Sequence, residues 1–106
     1  GVAGAHRLLG RLEAIQKEVE AQVPGAIRTI GYNMPAFKKK RNFFYFASFK
    51  KHIGIYPPVV DDLALIAQTR RLRGPKGNLS FSHAENLPLG LIGRVAAALA
   101  EQYAKP

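Results

Sequence analysis

The segment 42–56 is the part of the sequence that most limits the fold. It places two runs rich in aromatic and β-branched residues on either side of a pair of lysines. Such runs are typical of β-strands, so the pattern predicts a hairpin with strands over 42–49 and His52–Tyr56. If the lysines form a two-residue turn, Tyr45 lies opposite Tyr56.

The side chains of this hairpin alternate between two faces of a sheet. The first face is mostly apolar, and we expect helices to cover it; it carries Phe44, Phe46, Ser48, Ile53 and Ile55. The second face mixes aromatic, small and polar residues; it carries Phe43, Tyr45, Ala47, Phe49, His52, Gly54 and Tyr56. This second face is the better candidate for a functional surface.

Two amphipathic helices are predicted outside the hairpin. The first covers 5–22 and ends at Pro24 and Gly25; its apolar stripe, spaced by three or four residues, is Leu8, Leu12, Ile15, Val19 and Val23. The second starts at Pro88, a residue suited to the first turn of a helix. Its apolar residues are Leu91, Ile92, Val95, Leu99 and Tyr103.

The remaining elements are shorter. In chain order, we expect a strand over 27–32, a basic loop over 38–41, a helix over 61–68, a strand or extended link over Arg70–Leu72 and a strand over 78–82. Pro35 is expected to end the first strand, and Asp61 or Asp62 to cap the short helix. The prediction is one α+β domain over 1–106, an antiparallel sheet flanked by N- and C-terminal helices that lie mostly on one face.

Charge and composition narrow the classes of partner. The sequence contains 16 Lys and Arg residues and seven Asp and Glu residues, which gives a net charge of +9. No acidic residue lies between Glu20 and Asp61. This excess favours an anionic partner. The absence of Cys excludes thiolate zinc sites and Cys nucleophiles. No apolar run reaches the roughly 20 residues of a membrane span, so we expect no membrane partner and a cytoplasmic location.

No set of residues with catalytic spacing is found, so we expect a protein that is not an enzyme. The three His residues, His6, His52 and His83, are far apart and lack metal-ligand spacing. The turn at residues 74–77, Gly-Pro-Lys-Gly, is too short for a phosphate-binding P-loop and lacks its Lys-Ser/Thr ending.

The basic stretch supports one hypothesis by itself, nucleic-acid binding. Aromatic rings on the second sheet face would stack on bases, and nearby cations would hold phosphates. The residues for this role are Lys38, Lys39, Lys40, Arg41, Tyr45 and Lys50. A packed aromatic cluster and a homodimer surface are alternatives that the sequence leaves open, so the chain is expected to be a monomer or a homodimer.

Four blocks of the sequence resemble those of the YdhG-like family. IGYNMPAF from residue 30 resembles its I-x-Y-x-M-P-x-F signature, and KHIGIYP from residue 51 resembles its K-H-I-G-F-Y-P block. KGNLSF from residue 76 resembles K-G-T-L-x-F, and LPLGLI from residue 87 resembles L-P-x-x-L-I. The blocks follow the family order and span nearly the whole chain.

The resemblance implies a small, mostly bacterial α+β domain whose sheet is similar to that of frataxin. Most members of the family have no assigned function, and some are described as intracellular iron chaperones. The signature residues, which include Pro35 and Phe81, would cluster around one cleft. Those expected to bind the ligand are Tyr32, Met34, Phe37, Lys51, His52, Tyr56 and Lys76. The implied cargo is iron or a small anionic ligand, and no cofactor is certain. Arg28 stands where family members commonly have an acid.

Overall fold

The computed structural model describes residues 2–105 and contains one five-stranded antiparallel sheet and two long helices. The elements are α1 (Val2–Gln22), β1 (Ile27–Gly31), β2 (Met34–Lys39), β3 (Arg41–Ser48), β4 (His52–Tyr56), α2 (Leu63–Gln68), a 3₁₀ turn (Arg70–Leu72), β5 (Leu79–Ser82) and α3 (Leu89–Tyr103). Each strand pairs with the next one in the chain, in the spatial order β1-β2-β3-β4-β5. The predicted α+β architecture is confirmed.

The central hairpin has the predicted register. Tyr45 lies opposite Tyr56, and Ala47 lies opposite Gly54. The Phe49 N–H donates to the His52 carbonyl at 2.7 Å, which closes a turn of two lysines. One face of β3 and β4 is therefore apolar, and the other face carries the tyrosines.

The core lies between the apolar face of the sheet and the helices α1 and α3. The helices pack against each other, and α3 packs against β3. Their buried stripes supply Ile15, Val19, Ile92, Val95 and Leu99, and the sheet supplies Phe44, Phe46, Ile53, Ile55 and Phe81. Each such side chain stabilises the fold by about 1.5–3 kcal/mol when it is removed from water.

The prediction that Pro35 ends a strand and that residues 38–41 form a loop was wrong. Met34–Lys39 is strand β2, joined to β1 by a two-residue turn in which Tyr32 and Asn33 both have positive φ. Pro35 is tolerated because the β2–β3 ladder begins at Ala36, so the missing N–H of proline is not needed there. The basic residues at 38–41 therefore lie on a paired β-hairpin.

Phe43 was predicted to lie on the same sheet face as Tyr45 and Tyr56, and this prediction was wrong. Its side chain is fully buried in the core. The pairing of β2 with β3 shifts from Phe37–Phe44 to Lys38–Asn42, which leaves Phe43 as the extra residue of a β-bulge. A bulge breaks the strict alternation of side chains along a strand and redirects one of them. The sequence prediction assumed an unbroken strand.

The connection between β4 and β5 also corrects one prediction and confirms another. Arg70–Leu72 is a 3₁₀ turn with Leu72 buried, not a strand or an extended link. Asp62 is the N-cap of α2, and its carboxylate accepts a hydrogen bond from the Leu65 N–H at 3.0 Å. The cap satisfies one of the free N–H groups at the start of this short helix.

Candidate binding surface

The face of the sheet opposite to the helices is called the open face here. Its side chains follow from the strand register and the alternation of side chains. One row across the sheet is Thr29, Ala36, Tyr45 and Tyr56, and the next row is Gly31, Met34, Ala47, Gly54 and Ser80. Large and small side chains thus alternate along β3 and β4.

Two tyrosine rings lie down on the open face over small residues. Tyr45 is on β3, but its ring carbon would be 2.6 Å from a Cβ added to Gly31 on β1, so the ring extends across β2. This position explains why Ala36 of β2 is only 2% exposed. The Tyr56 hydroxyl would be 2.6 Å from a Cβ added to Gly54. Glycine at both positions is what allows the rings to approach the backbone.

A third tyrosine extends this arrangement beyond the sheet. Tyr32 lies in the β1–β2 turn and is 83% exposed, and its ring centroid is 5.5 Å from that of Tyr45. Tyr45 and Tyr56 are half-buried. We call these three side chains the tyrosine platform. Rings with one side on the sheet and one side toward solvent offer flat apolar surfaces for stacking.

Cations lie at both ends of the platform. Lys38, Lys39, Lys40 and Arg41 surround the β2–β3 turn, and Lys50 and Lys51 form the β3–β4 turn. Residues 42–49 separate Arg41 from Lys50, a distance of about 25 Å or more at about 3.3 Å per residue. Within residues 2–105, none of these six side chains forms a salt bridge. Their charge is therefore available to a ligand.

The residues that the family resemblance assigned to one ligand cleft are not brought together. Phe37 is fully buried and packs against Phe44 and Phe46. Lys51 precedes β4, whereas the turn that holds Lys76 lies beside Pro58, beyond the other end of β4.

The other members of that set are separate as well. His52 stacks on Phe49, with ring centroids 4.9 Å apart, while Tyr32, Met34 and Tyr56 belong to the open face or its edge. Four clefts between the described elements have none of the seven residues in their walls.

The ligands needed for an iron site do not meet in the part of the chain that the structure describes. No group of three or more His, Asp or Glu side chains comes together there. Asp62 is engaged as a helix cap, and His52 lies among cations and aromatic rings. Iron is a cation that favours several oxygen or imidazole ligands, and this arrangement supplies none of the usual sets.

Sequence reasoning missed a second group of cations. Arg7 and Arg11 of α1 lie beside Lys50 and His83, residues that are distant from them in the chain. The Arg11 guanidinium donates to the carbonyls of Ser82 and Glu85 at 2.8 and 2.6 Å. Burial and the nearby charge of Arg7 lower the pKa of Arg11, while Glu85 acts in the opposite direction. The only signal in the sequence was the i, i+4 spacing of two arginines.

Comparison with known proteins identifies the architecture. No family model and no curated protein matches the sequence. The crystal structure of YdhG from Bacillus subtilis, a protein of the DUF1801 family, superposes with a TM-score of 0.70 at 16% sequence identity, covering 91% of this chain and 80% of that chain. The chain has the DUF1801 fold.

The resemblance to the YdhG-like family, first seen in the four sequence blocks, is thus confirmed in the fold. The two chains share the sheet and the flanking helices that make up this DUF1801 architecture. In residues 2–105, we find no helix with the length and apolar character that a membrane span requires.

Proposed function

We propose that this DUF1801-fold chain is a binding domain, not an enzyme, and that it binds single-stranded nucleic acid on its open face. The observation that supports this proposal is the tyrosine platform, in which the rings of Tyr45 and Tyr56 lie on the sheet over Gly31 and Gly54. Base–aromatic stacking contributes about 1–3 kcal/mol per base and tolerates any base sequence.

The cations complete the chemistry that a single strand requires. Bases on the platform would leave the phosphates near its ends, where the groups at 38–41 and at Lys50 and Lys51 lie. A spacing of about 25 Å suits a polymer of several nucleotides better than a small molecule. No acid in the sequence lies between Glu20 and Asp61, so β1 to β4 present no charge that repels phosphate.

The other two functions considered have less support from the geometry. A small anion at the signature residues would need Lys51 and Lys76 to meet, yet they lie at opposite ends of β4. Iron carriage would need a group of oxygen ligands, and no such group of three forms within residues 2–105.

Fluorescence anisotropy with labelled mixed-sequence DNA and RNA strands tests the proposal. We expect Tyr56→Leu to weaken binding by about 5-fold or more, the equivalent of about 1 kcal/mol of stacking. Tyr103 is the matched control, because it is a partly exposed tyrosine on α3, away from the open face. Tyr103→Leu should leave the affinity unchanged.

Salt dependence provides the second measurement. Binding should fall steeply between about 50 and 200 mM salt, because phosphate neutralisation releases counterions. Lys39→Ala should reduce the slope of log affinity against log salt by about one. Absence of binding at low salt, a flat salt dependence, or equal effects of the Tyr56 and Tyr103 substitutions would each refute the proposal.

A further inference from the structure

A cleft of about 300 Å³ lies between the first turns of α1 and the β3–β4 turn. It is separate from the tyrosine platform, because its walls come from α1, the lysine turn and the loop after β5. The side chains that matter for its chemistry are Arg7, Leu8, Arg11, Phe49, Lys50 and His83. Its volume is near the lower end of the range for small-molecule sites.

The positions of two of these side chains are fixed by hydrogen bonds to backbone carbonyls. The Arg11 guanidinium donates to the Ser82 and Glu85 carbonyls. The Nε2 of His83 lies 2.7 Å from the Phe49 carbonyl oxygen. Since a carbonyl only accepts hydrogen bonds, Nε2 must carry the proton. The cleft is therefore built on ordered side chains.

Each of these two side chains leaves one polar atom buried and without a partner. Among the described residues, the buried side-chain nitrogens or oxygens that lack a hydrogen bond are Arg11 Nε and His83 Nδ1. Buried polar groups in folded proteins are ordinarily satisfied, so a pair of exceptions on two residues that line one cleft calls for an explanation. Arg11 Nε–H is a donor that lacks an acceptor, and with the proton on Nε2, His83 Nδ1 is an acceptor that lacks a donor. A singly protonated phosphate offers both, an oxygen that accepts and a P–OH group that donates.

The wall of the cleft carries an excess of positive charge. Arg7, Arg11 and Lys50 are in its wall, and no carboxylate is among the wall residues. Glu85, whose charge acts on Arg11, accepts a hydrogen bond from the Ser82 N–H at 2.6 Å and lies 4.0 Å from Arg71. It is directed to groups outside the cleft. Leu8 and Phe49 add apolar surface for the body of an organic ligand.

We propose that this cleft binds a small organic phosphate ester, with the phosphate among Arg7, Arg11, Lys50 and His83 and the organic part against Leu8 and Phe49. The phosphate accepts charge-assisted hydrogen bonds from the arginines and the lysine. The cleft contains none of the three tyrosines of the platform, so the two proposals rest on different observations, although Lys50 belongs to both surfaces.

Titration of the protein with phenyl phosphate, followed by NMR, tests this site. We expect saturable shifts of the amide signals of Leu8, Phe49 and His83, and smaller shifts with benzyl alcohol, which lacks the phosphate. Lys50→Ala should weaken binding by about tenfold, as expected for the loss of one charge-assisted hydrogen bond. Lys51 is a matched control, because it is the other lysine of the same turn and is not in the wall.

Lys51→Ala should change the affinity by less than about twofold. Both lysines are exposed in a turn, so neither substitution should prevent folding. The proposal is overturned if phenyl phosphate gives no saturable shift at these three residues. It is also overturned if Lys50→Ala weakens binding no more than Lys51→Ala does. The Tyr56→Leu variant separates the two proposals, because Tyr56 is not in the wall of the cleft and this variant should bind phenyl phosphate as the wild type does.

Discussion

Replacing Gly54 by alanine adds a single methyl group directly under the Tyr56 ring. The new Cβ would lie 2.6 Å from the Tyr56 hydroxyl and 2.9 Å from the nearest ring carbon. Carbon atoms in contact are normally about 3.5–4.0 Å apart, so the ring must move by about 1 Å. The ring is the end of a side chain that can rotate, so we expect it to lift from the sheet while the backbone stays in place.

The consequences for binding and for stability should differ. A lifted ring no longer offers a flat surface, so about 1–2 kcal/mol of stacking is lost and oligonucleotide binding weakens by about 5- to 30-fold. Alanine in place of glycine lowers the entropy cost of folding by about 0.5–1 kcal/mol, which offsets the lost contact between ring and backbone. The free energy of unfolding should therefore change by less than about 1 kcal/mol.

Anisotropy with a labelled single strand measures the first quantity, and urea unfolding measures the second. Gly90→Ala is the matched control, because Gly90 on α3 has open space around a new Cβ. This control should bind as the wild type does. If Gly54→Ala also binds as tightly as the wild type, the position of the Tyr56 ring is not what binds bases, and the platform argument fails.

Two further predictions concern stability. Phe43→Ala should lower the free energy of unfolding by about 3–5 kcal/mol, whereas Phe49→Ala, at a side chain that is 43% exposed, should cost much less; equal losses in urea unfolding would contradict the bulge. Glu20 accepts two hydrogen bonds from Arg28 at 2.9 and 3.0 Å, and the first effect of this guanidinium is to lower the Glu20 pKa. A carboxyl whose pKa is lowered in the folded state stabilises the fold at pH values above its ordinary pKa of about 4.3. This stabilisation is lost as the pH falls through the lowered, folded-state pKa. The stability difference between wild type and Glu20→Gln should therefore be present at pH 7 and shrink as the pH falls below the ordinary carboxyl pKa of about 4.3. A difference that stays constant with pH would exclude the ion pair as its cause.

The sequence predicted the elements whose signals are local. The strand register around Tyr45 and Tyr56 followed from a two-residue turn, and the helix stripes followed from their spacing. The burial of Phe43 could not be predicted in this way, because a bulge is set by the pairing of two strands and leaves no mark on one strand alone. The prediction at Pro35 failed for a similar reason. A proline ends a strand only where the neighbouring strand needs a hydrogen bond from that backbone N–H, and this depends on the pairing of the strands.

The candidate sites also differ in how far they could be predicted from local sequence signals. The tyrosines and the lysines of the open face are close in the chain, so a hairpin prediction brings them together. Arg11 and Glu85 are 74 positions apart, and only the packing of α1 beside the end of the sheet joins them. The sequence shows that Gly31 and Gly54 are glycines, but not that tyrosine rings lie over them. That role depends on where the side chains of Tyr45 and Tyr56 lie on the sheet.

The unequal distribution of charge between the helices and the sheet affects how the molecule orients in the electric field of a charged partner. Helices α1 and α3 carry equal numbers of cations and acids, three of each in α1 and one of each in α3, whereas the segment 27–56 carries seven cations and no acid. The chain is therefore a dipole as well as a cation, with its positive pole on the sheet side. The field of a long polyanion would orient the protein with its sheet toward the polyanion before contact. This orientation would increase the association rate at low salt. The same polarity would make two copies repel each other when their sheets approach.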